Sequence, residues 1–551
     1  MKSQRVKNSL LPISMLLPLL ILVVSICILA WVPPVSRDAL VHHLAIPKLW
    51  LKHGGIYEIP DLIYSYYPMN LDLLYMIPLY FGNDIFPKLI HFSFALGTAW
   101  LIFTYLAKRL DRYYAILGAL LFLSTPVIVK LSITVYVDLG LIFFSTAGLM
   151  YTLKWREEPS RLKYIVMAAL CSGLALGTKY NGLIVFLLLT LLLIFIASRG
   201  VADGECTPSR AVFTSVLFIV AAGVVYSPWG VKNYIWTGNP VFPLFDNWFN
   251  VSNPHAQQSV PPIILRKLMY NETWWETALV PLRVFFQGQD DLHQYFDGKL
   301  NPALLILPIF SFAMADRKKS AHQHNFENGI MLMFSILLVM IVFFQTNMRI
   351  RYIAPVIPCL VILSMFGLKN IFLLVGKLSE GKSKRVAGIV SLMAAVTLIF
   401  GGNMTYIIEQ FQIVSPFQYL NGDISRNHYI EKFRPEYAAI RYANDFLPSD
   451  AKILALFIGD RGYYSDREMR FDIHLFHSTV QKSDSAEDLQ MHLVNLGLTH
   501  LLIRLDMFDN WSHNNLNKME KQLVINFLNL KTFRLFEKNG HTLYQLSGLR
   551  N

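Results

Sequence analysis

The chain has 551 residues, of which 54% are hydrophobic and 16% charged, with a formal net charge of +12. That balance excludes a soluble globular protein of this length, and repeated apolar runs of roughly twenty residues point to many membrane-spanning helices. The positive surplus is confined to the apolar part: from Glu409 onward 16 Lys/Arg face 17 Asp/Glu. Such a distribution suits membrane topology and lipid headgroups and excludes nucleic acid as a partner. The four cysteines, Cys27, Cys171, Cys206 and Cys359, support neither a disulfide framework nor a zinc spacing.

The first apolar run, Leu10 to Trp31, follows Lys2, Arg5 and Lys7. It is longer than a signal-peptide core, and Val32-Pro33-Pro34 is no cleavage site, so a retained helix is predicted. Hydropathy predicts eleven helices, over 10–32, 85–107, 113–130, 137–154, 162–178, 182–198, 211–231, 301–315, 329–345, 352–372 and 386–406. Leu71 to Phe81 is too short to cross ~30 Å of hydrocarbon and is expected to lie along the interface. The expected fold class is therefore mainly α: a polytopic transmembrane bundle of about eleven helices or more over 1–408, with outer loops 33–84 and 232–300. A small extracytoplasmic α/β domain is expected over 409–551.

Loop charge sets the expected orientation. The tail and the loops RLDRYY, KWREEPSRLK, SRGVADGECTPSR, ADRKK and KNIFLLVGKLSEGKSKR, with their adjoining residues, hold 20 Lys/Arg. The short loops on the other side hold four: Lys130, Lys179, Arg349 and Arg351. This asymmetry predicts a cytoplasmic N-terminus and an extracytoplasmic C-terminal domain, in a bacterial inner membrane. In that domain Ala451–Phe457 and Thr499–Ile503 read as buried strands, and Ala486–Leu496 and Lys518–Leu528 as amphipathic helices. Phe533–Leu546 reads as a hairpin turning at Asn539-Gly540.

Ionisable residues collect where the chain leaves the bilayer. SRDALVHHLAIPKLW, Ser36 to Trp50, follows the first helix directly. As plain structure Asp38 is a solvated loop carboxylate paired with Arg37; as chemistry it can take a proton from an acceptor hydroxyl or ligate a divalent metal. Asp138, in TVYVDLGLIFF, is either a favourable acid at a helix N-terminus or a second carboxylate of one site. Lys179, in GLALGTKYNGL, either snorkels to headgroups or binds a phosphate. Arg349 and Arg351, in QTNMRIRYIAPVIP, fall on one side if extended and suit bidentate phosphate binding, or anchor the interface beside Tyr352. His42 and His43 are candidate acceptor or metal residues, His42 standing four residues after Asp38. Tyr64, Tyr66 and Tyr67 form an interfacial belt or a platform for sugar stacking. Asp290, Asp291 and His293, in GQDDLHQYFDGK, are equally explained by a wet loop.

The order of one N-terminal helix, an Asp in the first outer loop, an Asp early in a later helix, LGTKYNG, TGNPVFP and RYIAPVIP resembles the GT-C superfamily of integral-membrane glycosyltransferases, most of all its ArnT-like and protein-mannosyltransferase-like members. The resemblance implies a polyprenyl-phosphate sugar as donor and a lipid, glycan or protein acceptor in the cell envelope. It implies inverting transfer outside the cytoplasm. The family's essential acid in the first outer loop maps onto Asp38; its lipid-phosphate cations map onto Lys179 and Arg351. The second acid often found beside the first is replaced here by Ala39, leaving Asp138 as the looser match. A transporter or flippase for an anionic substrate is the competing class; it calls for internal repeats and charges near the midplane, and the ionisable residues instead gather at one surface.

Overall fold

The computed structural model describes residues 2–250, 262–313, 319–345, 347–378 and 382–547. Parts of the outer loop 232–300 and of the inner loops ADRKK and KNIFLLVGKLSEGKSKR lie outside the described residues. The chain is a multi-pass integral membrane protein, mainly helical, with one mixed five-stranded sheet near its C-terminus. Its described residues divide into two compact units. The first holds 1–31, 66–74 and 86–416; the second holds 32–65, 75–85 and 417–551.

In the first unit, six helices are long and apolar enough to cross a membrane: Phe86–Arg109, Gly182–Ala202, Pro208–Thr237, His324–Phe344, Ile350–Val375 and Val386–Val414. Exposed Val212, Val216, Val220 and Val224 recur every four residues along Pro208–Thr237, a stripe on one helix face suited to lipid. Two expectations need correction. The segment expected over 113–130 is broken: Arg112–Ser124 bends by 65° into Pro126–Ser132, and the pair counts as a seventh span. Pro126 is the cause, since it drives Thr125 to an extended ψ of 127° while its own missing N–H is harmless at the first helical position. The segment over 301–315 is no regular helix either. Ala303–Ile306 is one α turn, and Leu307–Phe312 tightens into a 3-10 helix around Pro308. Asn370 donates to the Phe310 and Ser311 carbonyls at 2.9 and 3.0 Å, satisfying groups that a continued helix would have paired.

The second unit is built on strand order β2-β1-β3-β5-β4. Strands β1 (Lys452–Leu456), β2 (Glu468–Arg470) and β3 (His500–Arg504) run parallel. Strands β4 (Thr532–Lys538) and β5 (His541–Leu546) close the far side as an antiparallel hairpin. Asn539 and Gly540 take φ of 53° and 73°, the paired left-handed residues that a tight two-residue turn needs. Alternation sorts the sheet's two faces. Leu454, Leu456, Leu501 and Ile503 pack against Phe476, Leu489 and Phe527, whereas Ile453, Ala455 and Leu502 pack against Ala439, Ile440 and Ala443.

The loop 32–65 is sewn into this domain. Lys48 Nζ donates to the Tyr463 and Ser465 carbonyls, both at 3.0 Å, and to Asp466 at 2.9 Å. The Tyr463 N–H donates to the Leu40 carbonyl at 3.1 Å, and the Tyr464 hydroxyl to the Pro34 carbonyl at 2.8 Å. Asp84 accepts from Arg426 at 2.5 Å and from the Tyr463 hydroxyl at 3.2 Å.

Burial holds His500 on β3 down to about 4, and lowers His541 opposite Arg504 as well. Both groups bind protons more readily in the unfolded chain, whose ordinary value is about 6.5. The domain is therefore expected to keep its stability above pH ~6.5 and lose it as pH falls toward ~4, by roughly 2–3 kcal/mol for His500. Thermal unfolding of the purified protein against pH checks this, and His500→Gln is expected to flatten the slope over that window.

Candidate functional site

Lys179 owes its position to a tight helix-to-helix turn. Helix Lys163–Leu176 ends, and Gly182 opens the next one. A Cβ on Gly182 would lie 2.3 Å from the Ala175 carbonyl oxygen, so only glycine lets the two helices close so sharply. A Cβ on Gly177 would lie 2.2 Å from Asn70, whose N–H donates to the Gly177 carbonyl at 2.8 Å. The sequence LGTKYNG thus folds as a compact turn that projects Lys179.

Asp138 receives it. The carboxylate begins helix Asp138–Glu157, is buried, and accepts from Lys179 Nζ at 2.8 Å. Its second oxygen has no hydrogen-bond partner among the described residues. The next residue is pinned by His91, whose Nε2 accepts from the Leu139 N–H at 2.9 Å. His91 Nδ1 lies 3.0 Å from both the Leu131 and Thr134 carbonyls, so the proton belongs on Nδ1 and the ring is neutral. His91 is a positioning group that the sequence did not single out.

The outer cations meet around one ring. Lys179 Nζ lies 5.3 Å from the Tyr352 ring centre, and the Arg349 and Arg351 guanidinium carbons lie 5.8 and 5.5 Å from it. Arg351 also lies 5.2 Å from the Tyr136 ring and within electrostatic reach of Asp138. The two arginines do not share an extended segment. Arg349 is extended, with φ of −123°, whereas Arg351 lies inside the helical turn Ile350–Ile353. Arg349 consequently turns to loop 288–299, 3.7 Å from Asp297 and 3.2 Å from His293 Nε2. Lys130 is held by the same loop, at 2.9 Å from Asp291 and 3.6 Å from Asp290. Lys179 and Arg351 therefore set two positive charges against the single carboxylate of Asp138, the one place in this cluster with a cationic excess.

The other candidates fall in different surroundings. Tyr66 is buried in the first unit, edge-on to Phe242 and Trp236, and its carbonyl accepts from Asn233 at 2.8 Å. Its ring is packing, not an open platform. Asp38, His42 and His43 belong to the second unit. Asp38 is half-buried with helical backbone angles, φ −64° and ψ −32°. The turn after it is wider than α: the Leu44 N–H donates to the Ala39 carbonyl, five residues back, at 2.9 Å. The i,i+4 geometry expected between Asp38 and His42 is replaced there by a π turn, a feature frequent at functional sites. His42 stacks on Tyr64 at 4.3 Å and touches His43 at 4.0 Å. Among the described residues no three His, Cys, Asp or Glu side chains gather as a metal site.

Removing the lysine from the buried pair strands a carboxylate. Lys179→Met is expected to cost ~3 kcal/mol of stability, and the double variant Asp138→Asn/Lys179→Met to recover most of that loss. Thermal unfolding in detergent of the singles and the double measures the coupling.

Residues 56–236 match the family model described as dolichyl-phosphate-mannose-protein mannosyltransferase. No curated protein matches the chain. Among solved structures, the chain is similar to ArnT from Cupriavidus metallidurans in the apo state, with a TM-score of 0.57 and 15% identity over 98% of each chain. The same protein bound to undecaprenyl phosphate gives a TM-score of 0.56 and 13% identity over 99% of each chain. The archaeal oligosaccharyltransferase AglB from Archaeoglobus fulgidus, in complex with an inhibitory peptide and a dolichol-phosphate, gives a TM-score of 0.53 and 12% identity over 97% of this chain and 74% of that one. The GT-C resemblance seen in the sequence holds at the level of fold, and the protein carries a membrane glycosyltransferase domain of the mannosyltransferase type in an ArnT-like architecture.

Proposed function

We propose that the protein transfers a sugar, with inversion, from a polyprenyl-phosphate donor to an acceptor on the extracytoplasmic side of the membrane. One observation carries the reading: two cations, Lys179 and Arg351, share Tyr352 with only Asp138 to balance them, in a chain whose 56–236 segment matches the mannosyltransferase family. A phosphate completes that balance. Lys179 supplies a compact charge, Arg351 a planar fork for two phosphate oxygens, and Asp138 holds Lys179 aimed until the donor arrives. Asp138 acts as a positioning group in this scheme.

The reaction balances simply. An acceptor oxygen attacks the anomeric carbon opposite the phosphate, the carbon–oxygen bond to phosphate breaks, and polyprenyl phosphate leaves with the electron pair. Asp38 takes the acceptor's proton. Negative charge grows on the phosphate as the bond breaks, so fixed cations in a low-dielectric setting stabilise the transition state more than the bound donor. The loop-charge asymmetry supports a cytoplasmic N-terminus and places this chemistry outside. The acceptor is a lipid, a glycan or a protein. The fold shared with a protein solved with undecaprenyl phosphate supports a lipid-linked donor.

Asp38→Asn is expected to lower transfer by ~100-fold or more while the protein stays folded and binds donor. Release of polyprenyl phosphate from a labelled donor measures it, and wild-type turnover in the variant removes Asp38 from the mechanism. Arg351→Gln is expected to weaken donor binding roughly tenfold or more, because a charge-assisted contact is lost. Titration with polyprenyl phosphate in nanodiscs checks it, and unchanged affinity contradicts the phosphate site.

A further inference from the structure

The second unit carries a site that the transfer chemistry does not use. Strands β1, β2 and β3 are parallel, and the carboxyl ends of parallel strands are where open α/β sheets leave room for ligands. A cavity of about 510 Å³ opens there, lined by Phe457, Asp460, Arg461, Phe471, His474 and Arg504 among others. A second cavity, of about 470 Å³, continues past the β4–β5 turn and is also lined by Arg461 and Arg504. The two form one groove along the sheet's carboxyl edge, of a size that ordinary ligand pockets have.

The backbone entering the groove is unusual. Phe457, Gly459 and Asp460, directly after β1, take φ of 63°, 75° and 59°. Two non-glycine residues in the left-handed region cost energy that a plain turn avoids, and such outliers gather at functional sites. Gly459 also makes room for its neighbour: a Cβ there would lie 2.3 Å from an Arg461 guanidinium nitrogen.

The wall is polar but balanced in charge. Arg504 is held by Asp506 through two bonds of 2.8 Å, and Arg461 is held by Glu436. Asp460 faces the charge of Arg37, which precedes Asp38 in the first outer loop and lines the same cavity. Each guanidinium keeps N–H groups beyond those its carboxylate takes, and each carboxylate keeps lone pairs. Half-buried Phe457 and Phe471 add apolar surface. A phosphate needs uncompensated positive charge, which this wall lacks. A ring with hydroxyls on its rim and C–H groups on its faces matches alternating donors, acceptors and aromatic carbon.

We propose that this groove is the acceptor site, and that the acceptor presents an uncharged oligosaccharide to it. The proposal rests on the glycosyltransferase reading above and names its acceptor class: a glycan, free or on a carrier.

The test uses the full-length protein in phosphatidylcholine nanodiscs and saturation-transfer NMR. The probes are uncharged di- to tetrasaccharides of hexose and N-acetylhexosamine, the same saccharides carrying a 6-phosphate, and serine- and threonine-containing hexapeptides. Transfer to uncharged saccharides is expected, with Arg504→Gln and His474→Ala each weakening it about fivefold or more while the thermal midpoint stays put. Binding of peptides alone, or of phosphorylated saccharides alone, overturns the proposal, as does saccharide binding that neither variant weakens. Donor titration on the same samples separates the two readings. Polyprenyl phosphate bound without any saccharide sinks the groove and leaves the enzyme reading standing; saccharide bound without polyprenyl phosphate does the reverse.

Discussion

Three hydrogen bonds from one ammonium group decide where the first outer loop belongs. Lys48 has three N–H donors, and they go to two carbonyls and one carboxylate of the segment 463–466. A loop as long as 32–65 pays a large conformational cost to be ordered, and the apolar bundle offers its backbone few polar partners. The segment after β1 offers them. Lys48, Leu40 and Pro34 all bond to it, and Asp84 adds the buried link to Arg426 and the Tyr463 hydroxyl. The consequence is that Asp38 is carried by the sheet domain's framework, on a π turn whose carbonyls are already committed. Proton transfer depends on distance, so an acid intended for it gains from such a mount.

The bundle solves a different problem. Two cations and an acid near an apolar interior cost desolvation energy, and each must be kept in check when no donor is bound. Asp138 does this for Lys179, while aromatic rings do it for Arg351. Asp138 is itself fixed by its helix start, where the neighbouring N–H is tied to neutral His91. The arrangement leaves an excess of one positive charge. It is stable enough to persist and unbalanced enough to attract an anion.

What the sequence disclosed follows from which signals are local. Apolar runs, the Asn539-Gly540 turn and the strands of the C-terminal sheet depend on neighbours in the chain, and each reappears in the structure near its expected place. Lys179 and Arg351 were legible because cations on the outer side break the loop-charge rule and so need a reason. Pro126 and Pro308 were also in plain view, yet a hydropathy window averages over them, and the breaks they impose were missed. His91 gave no signal, since a histidine on an apolar helix looks the same whether it fills space or holds a neighbouring N–H. The attachment of Lys48 to Asp466 was beyond reach for another reason. The partners stand 418 positions apart, and nothing in either stretch names the other.

The two units also differ in electrostatic character, and that difference bears on function more than their shapes do. The Tyr352 cluster holds more positive than negative charge in a setting that screens poorly. The groove at the carboxyl edge of β1 and β3 pairs its guanidinium groups with carboxylates. A lipid phosphate gains most at the first and little at the second. A neutral sugar has nothing to neutralise at the first and a full set of donors and acceptors at the second. If one enzyme must hold two glycosylated substrates and never exchange their places, a difference in net charge between its sites is the least demanding way to do so, because it sorts the ligands before any fine contact forms.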